Sequence, residues 1–155
     1  MSSDATSGIF AFESDYLDRY VQIGIASNRV ISVSFPTSAP EEFDSTHPIL
    51  DRIESYLDGA NEDFSDIDIA LTVQSDHRSV LETVRNIPYG EQRQVVDVAT
   101  ITPGLDKEAE SDLATVRSAL AENPTPLLIP DHRIPDGPSA APPPVEQRLR
   151  SLEKL

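Results

Sequence analysis

The 155-residue chain is acidic, with 27 Asp and Glu against 12 Lys and Arg and a formal charge of -15. It contains no cysteine, which excludes disulfides, thiolate catalysis and thiolate metal sites. The length allows one or two small domains with real cores, and no apolar run approaches the roughly 20 residues that span a bilayer.

Lys107 and Lys154 are the only lysines, and Arg19, Arg29 and Arg52 are the only bases in residues 1–73. Self-repulsion of this size opposes a compact state and contact with nucleic acid. It fits either a plain acidic surface or a cytoplasm holding molar salt, where the screening length falls to about 3 Å. The scarcity of lysine favours the second, halophilic reading, under which acidity does not argue against a DNA partner. The opening MSSDATSG lacks the basic and apolar regions of a signal peptide, so cytoplasmic residence is expected.

Taken in chain order, Ile9-Phe10-Ala11-Phe12 can form a first strand. Val21, Ile23 and Ile25, then Ile31, Val33 and Phe35, alternate with polar residues on either side of a tight Ser27-Asn28 turn. Pro48 opens a helical pattern carrying Ile49, Leu50, Ile53, Tyr56 and Leu57 on one stripe. The alternation of Ile67, Ile69, Leu71 and Val73 predicts a further strand. Ser75 or Asp76 can cap a helix built on Val80, Leu81, Val84 and Ile87, ended by Pro88-Tyr89-Gly90. A short helix over 94–101 and a longer one over 106–122, the latter with Ala109, Leu113, Val116 and Leu120 inward, flank Thr102-Pro103-Gly104. This is compatible with a helix-turn-helix. Pro126–Pro130 reads as extended, the proline-rich 135–144 as irregular, and Val145–Leu155 as a last helix with Leu149 and Leu152 buried. The expected class is α+β. A small N-terminal sheet-and-helix domain, 1–73, precedes a C-terminal helix-turn-helix, winged-helix-like domain, 74–155.

The segment Asn123-Pro-Thr-Pro-Leu-Leu-Ile-Pro-Asp-His-Arg-Ile134 resembles the active-site segment of the O6-alkylguanine-DNA alkyltransferases, whose members read Asn-Pro-x-Pro-x-x-Ile-Pro-Cys-His-Arg-Val. Val84-Arg-Asn-Ile-Pro-Tyr-Gly-Glu91 is similar to the helix-to-turn signature that precedes the family's DNA-binding helices, and Val145–Glu153 fits its final helix. The resemblance implies a protein that binds the DNA minor groove through a helix-turn-helix and flips an alkylated guanine out of the stack. Members of the family then transfer the alkyl group to a cysteine thiolate.

The acceptor position is Asp131, a far poorer nucleophile, so no enzymatic activity is expected. Asp131 can accept hydrogen bonds from guanine's ring N–H and amino group, or stand as a solubilising or capping aspartate in a retired site. His132, Asn123 and Glu153 match the family's polar relay and read as an inherited buried network, with Arg133 and Tyr89 structural. The family's intercalating arginine falls on Ala114 and its nucleotide-rotating tyrosine on Val95. Arg117 is the best remaining groove or phosphate contact, or else an exposed arginine paired with Glu110 or Asp112. The connection from Arg133 to Val145 is shorter than in the enzymes and lacks their Gly-Gly-Tyr loop.

Three functions therefore remain open. The first is a non-enzymatic alkyltransferase-like protein that binds double-stranded, alkylated DNA and recruits excision-repair proteins. The second is a DNA-binding module without damage recognition, and the third is a protein-interaction module on the same scaffold. Neither cofactor nor metal is expected, nor a membrane, and the chain reads as a monomer. Unscreened repulsion should destabilise the fold at low ionic strength. Thermal midpoints should therefore rise from about 0.05 to 3 M KCl, and a flat series would remove the halophilic reading.

Overall fold

A computed structural model describes residues 7–155. Residues 1–6, which hold most of the MSSDATSG segment and the start of the 1–73 unit, lie outside the described residues. The fold is α+β. Strands β1 (Gly8–Ser14), β2 (Arg19–Ala26) and β3 (Arg29–Ser34) form an antiparallel meander in the order β1-β2-β3. Helices α1 (Pro48–Leu57), α2 (Ser75–Arg85), α3 (Val95–Ile101), α4 (Glu110–Ala121) and α5 (Pro143–Leu152) follow, with one 3-10 turn at Asp131–Arg133. Among the described residues no helix is long and apolar enough to cross a membrane.

The β2–β3 hairpin turns on Ser27 and Asn28, both at positive φ (53° and 66°). This is the twist that a two-residue hairpin needs. Val21, Ile23 and Ile25 face inward, as the alternation predicts. On β3 the phase slips. A register shift at Gly24/Ile25 buries Val30 and leaves Ile31 exposed, while Val33 and Phe35 return to the core. Helix α1 begins at Pro48, where no N–H is required, and His47 Nδ1 accepts from the Ile49 amide (3.1 Å). Leu50, Ile53, Tyr56 and Leu57 then lie against the sheet.

Several expected elements take another form. The strand expected over Ile67–Val73 is a single bridge, Ile69 to Val30, closed by Val30 N to Asp68 O and Ala70 N to Val30 O. Arg78 and Arg85 side chains take the neighbouring carbonyls of Leu71, Phe64 and Ile67. Helix α2 is capped at Gln74, leaving Ser75 and Asp76 inside its first turn. The helix expected from Asp106 begins at Glu110, because Asp106 N donates to the Asp112 side chain and holds the 106–109 segment as a turn. Pro126–Pro130 is folded rather than extended. Ile129 N donates to Thr125 O (2.9 Å) and Leu127 sits at φ 83°. Helix α5 starts two residues early, at Pro143, and Leu152 is only partly buried.

Two apolar clusters organise the chain. One joins the sheet and α1 to Leu127, Leu128, Ala141, Val145 and Leu149. The other packs α2, α3 and α4 around Ile129 and Ile134. The segment between α4 and α5 thus sends side chains into both. Gly137 lies where a Cβ would come within 2.7 Å of Leu120 Cδ1 and 3.1 Å of Ile134 Cγ2. Gly137→Ala should therefore cost about 1–3 kcal/mol by overpacking, read as a lower denaturation midpoint with an unchanged m-value.

Candidate functional site

The site is built on the chain that leaves α4. Asn123, just past the helix, accepts from Thr125 N with its side-chain oxygen (3.0 Å) and donates to Ile129 O (3.1 Å). That closes the 123–129 loop and presents the 3-10 turn. From the turn, neighbouring side chains point to different partners.

Asp131 is 1% exposed. Its Oδ1 accepts from Ser139 Oγ (2.6 Å), and its Oδ2 accepts from Ala140 N (2.9 Å) and Asn123 Nδ2 (3.1 Å). The carboxylate ties the proline-rich loop to the end of α4. Burial pushes the Asp131 carboxyl upward, against the pull of the three donors. Of the cavities of about 380, 300 and 330 Å3, none has Asp131 in its lining.

His132 and Arg133 turn instead toward Glu153, at the C-cap of α5. Glu153 Oε1 accepts from Arg133 Nε (2.8 Å) and Gly90 N (3.0 Å). Its Oε2 meets His132 Nε2 (2.7 Å) and Arg133 Nη2 (2.9 Å), and also accepts from the Tyr56 hydroxyl. Arg133 Nη1 donates to Ile87 O (2.6 Å), and the guanidinium lies 5.8 Å from the Tyr89 ring centre. Burial alone would raise the Glu153 carboxyl. The hydrogen bonds from His132 and Arg133 outweigh it and hold the group well below the usual carboxylate range. Burial, then the Glu153 charge, pushes the Tyr56 phenol up, so it remains a donor. His132 Nδ1 is buried with no protein partner among the described residues. No hydrogen bond among those residues joins this group to the Asp131 group. Asn123 therefore serves Asp131, while His132 serves Glu153.

No family model matches the sequence. The methylated-DNA–protein-cysteine methyltransferase of Methanopyrus kandleri is 31% identical over 108 residues, covering 68% of this chain and 77% of that protein. The chain belongs to the methylated-DNA–protein-cysteine methyltransferase family. A variant of the Mycobacterium tuberculosis O6-methylguanine methyltransferase shares the fold (TM-score 0.73, 18% identity), with 95% of this chain and 90% of that one covered. So does Mycobacterium tuberculosis OGT in complex with DNA (TM-score 0.68, 19% identity, 95% and 91% covered).

On this member of the methyltransferase family, α4 buries Leu113, Val116, Ala119 and Leu120 against α2 and α3. The opposite face exposes Ala114 and Arg117 among Glu110, Ser111, Ser118 and Ala121. No ion pair among the described residues joins Arg117 to Glu110 or Asp112. Val95 is fully buried, and its amide donates to Asp136 Oδ1 (2.9 Å).

Sequence reasoning missed Tyr56, Gly90, Ser139 and Ala140. Tyr56 was legible in principle, since a tyrosine on a fully apolar stripe needs a partner for its hydroxyl. The other three lie in turns whose contacts are tertiary, and no local signal marks them.

Glu153→Gln should cost about 3–5 kcal/mol at neutral pH, because it leaves the Arg133 charge buried without its partner. Since the folded carboxyl is depressed, its contribution is present above the unfolded value near 4.5 and fades as pH falls below it. Unfolding curves of wild type and variant should converge in acid, and parallel curves would remove Glu153 as the linkage group.

Proposed function

We propose that this chain is a non-enzymatic, alkyltransferase-like DNA-binding protein of DNA repair, which engages double-stranded DNA carrying alkylated guanine without accepting the alkyl group. The observation that carries this is the family's acceptor segment with a buried, fully hydrogen-bonded Asp131 in place of a thiol. A carboxylate whose lone pairs are occupied is a weak nucleophile toward an alkyl carbon, and His132 faces Glu153 rather than Asp131.

In this reading the 1–73 unit supports a 74–155 DNA-binding unit in which α3 and α4 act as a helix-turn-helix. Helix α4 enters the groove with Ala114 and Arg117 outward. A guanidinium flanked by small residues can approach closely, contact phosphate and read a narrow groove's negative potential. The protein works as a cytoplasmic monomer that marks the lesion for excision-repair proteins.

One observation favours a second reading, a DNA-binding module that does not discriminate damage. For Asp131 to accept hydrogen bonds from guanine, the Ser139 and Ala140 bonds must first open. Duplex binding measured by anisotropy in molar KCl separates the readings. The first expects tighter binding of a duplex with one O6-methylguanine than of its undamaged control, and equal affinities support the second. Arg117→Glu should abolish binding in both while changing stability by less than about 0.5 kcal/mol, as for a surface substitution. Labelled O6-methylguanine DNA should keep all its label, and transfer to Asp131 would overturn the proposal. Unchanged affinity of Arg117→Glu would remove α4 from the interface and turn attention to a protein partner.

A further inference from the structure

Three of the chain's few basic residues gather on one groove away from α4's exposed face. Arg29 at the start of β3, and Arg78 and Arg85 on α2, border a cavity of about 300 Å3 walled by Ile69, Ala70 and Leu81. Positions 78, 82 and 85 are spaced to share one side of α2. None of the three guanidiniums forms an ion pair among the described residues. Arg78 donates to Leu71 O (2.7 Å), and Arg85 donates to the carbonyls of Phe64 (3.0 Å) and Ile67. By contrast Arg52, Arg93 and Arg133 each hold a carboxylate.

Acids outnumber bases more than two to one in this chain, yet none of these three guanidiniums is in ion-pair contact with a carboxylate among the described residues. Glu82 is the one carboxylate in the lining, with Asp68, Asp63 and Asp66 acting on Arg85 from outside it. Desolvation lowers the Arg85 pKa, the sign of a cation that has lost water without gaining a contacting anion. Arg85 also borders the cavity of about 380 Å3, and its Nε is buried without a partner.

We propose that this groove binds a phosphate group. Guanidinium forks match phosphate oxygens in paired hydrogen bonds, and three of them border one cavity here. Carbonyl bonds already orient two of the forks, so little side-chain freedom is lost on binding. The phosphate can come from a free ion or small phosphorylated molecule, or from a DNA backbone. The proposal rests on the groove alone and stands apart from the reading of α4.

Nε–H signals of the arginines, followed by NMR at constant ionic strength, test it. Sodium phosphate exchanged for sodium chloride should shift Arg29, Arg78 and Arg85 saturably and leave Arg93 and Arg150 in place. An undamaged duplex distinguishes the sources. Groove signals that respond to duplex assign the site to DNA phosphate, and a response to phosphate alone assigns it to a free anion. In the double variant Arg29→Gln, Arg78→Gln, both exposed positions, the affinity should fall about tenfold or more for each charged hydrogen-bonding group removed, with the melting midpoint retained. Silence of the groove signals to both phosphate and duplex would overturn the site, as would a double variant with unchanged affinity. A duplex that moves only Arg117, with the groove silent to phosphate, would overturn it too while leaving the DNA-binding proposal intact.

Discussion

The buried carboxylate of Glu153 is the constraint on which the centre of this molecule depends. It sits 4% exposed at the end of α5 and receives donors from α1 (Tyr56), the turn after α2 (Gly90) and the 3-10 turn (His132 and Arg133). These four points of the chain are far apart in sequence and belong to elements that pack into different apolar clusters. A buried ion pair adds little net stability over a well-packed apolar substitute, but removing one partner leaves a charge that nothing else can solvate. Its effect is to set position: α5 can dock only where Glu153 meets Arg133.

That docking determines what the neighbouring residue can do. With His132 and Arg133 drawn to Glu153, Asp131 points the other way, into Asn123 and the 139–141 loop. A reactive thiol needs an adjacent base and an open approach. Asp131 has three donors and almost no exposed surface. Asp131 ties two loops together, and the proline-rich connection is long enough to reach that tie.

The charge distribution runs along a different axis. The acidic excess is heaviest in residues 1–73, while the exposed α4 face carries Arg117 and Glu110 among small, uncharged side chains. Arg29, Arg78 and Arg85, which form no ion pair among the described residues, converge on another surface. In strong salt such local arrangements count for more than net charge, because long-range repulsion is screened and short contacts are not.

Periodicity and turn chemistry made the meander, the Ser27-Asn28 hairpin and the apolar stripes of α1, α2 and α4 legible in the sequence. Each depends on a residue's own φ preference or on its neighbours within one helical or strand repeat. The family resemblance around Asn123–Ile134 likewise needed only the local string. The strand expected at Ile67–Val73 was not legible as a bridge, because its one pairing, Ile69 with Val30, joins segments distant in sequence. Nor was the early turn at Asp106–Ala109, set by a side chain one turn ahead. At the site the sequence by itself determined the identities, an aspartate beside histidine and arginine. Only the tertiary structure decided that Asp131 and His132 face different partners, since buried polar groups must be satisfied and their donors, Ser139, Ala140, Tyr56 and Gly90, come from other segments.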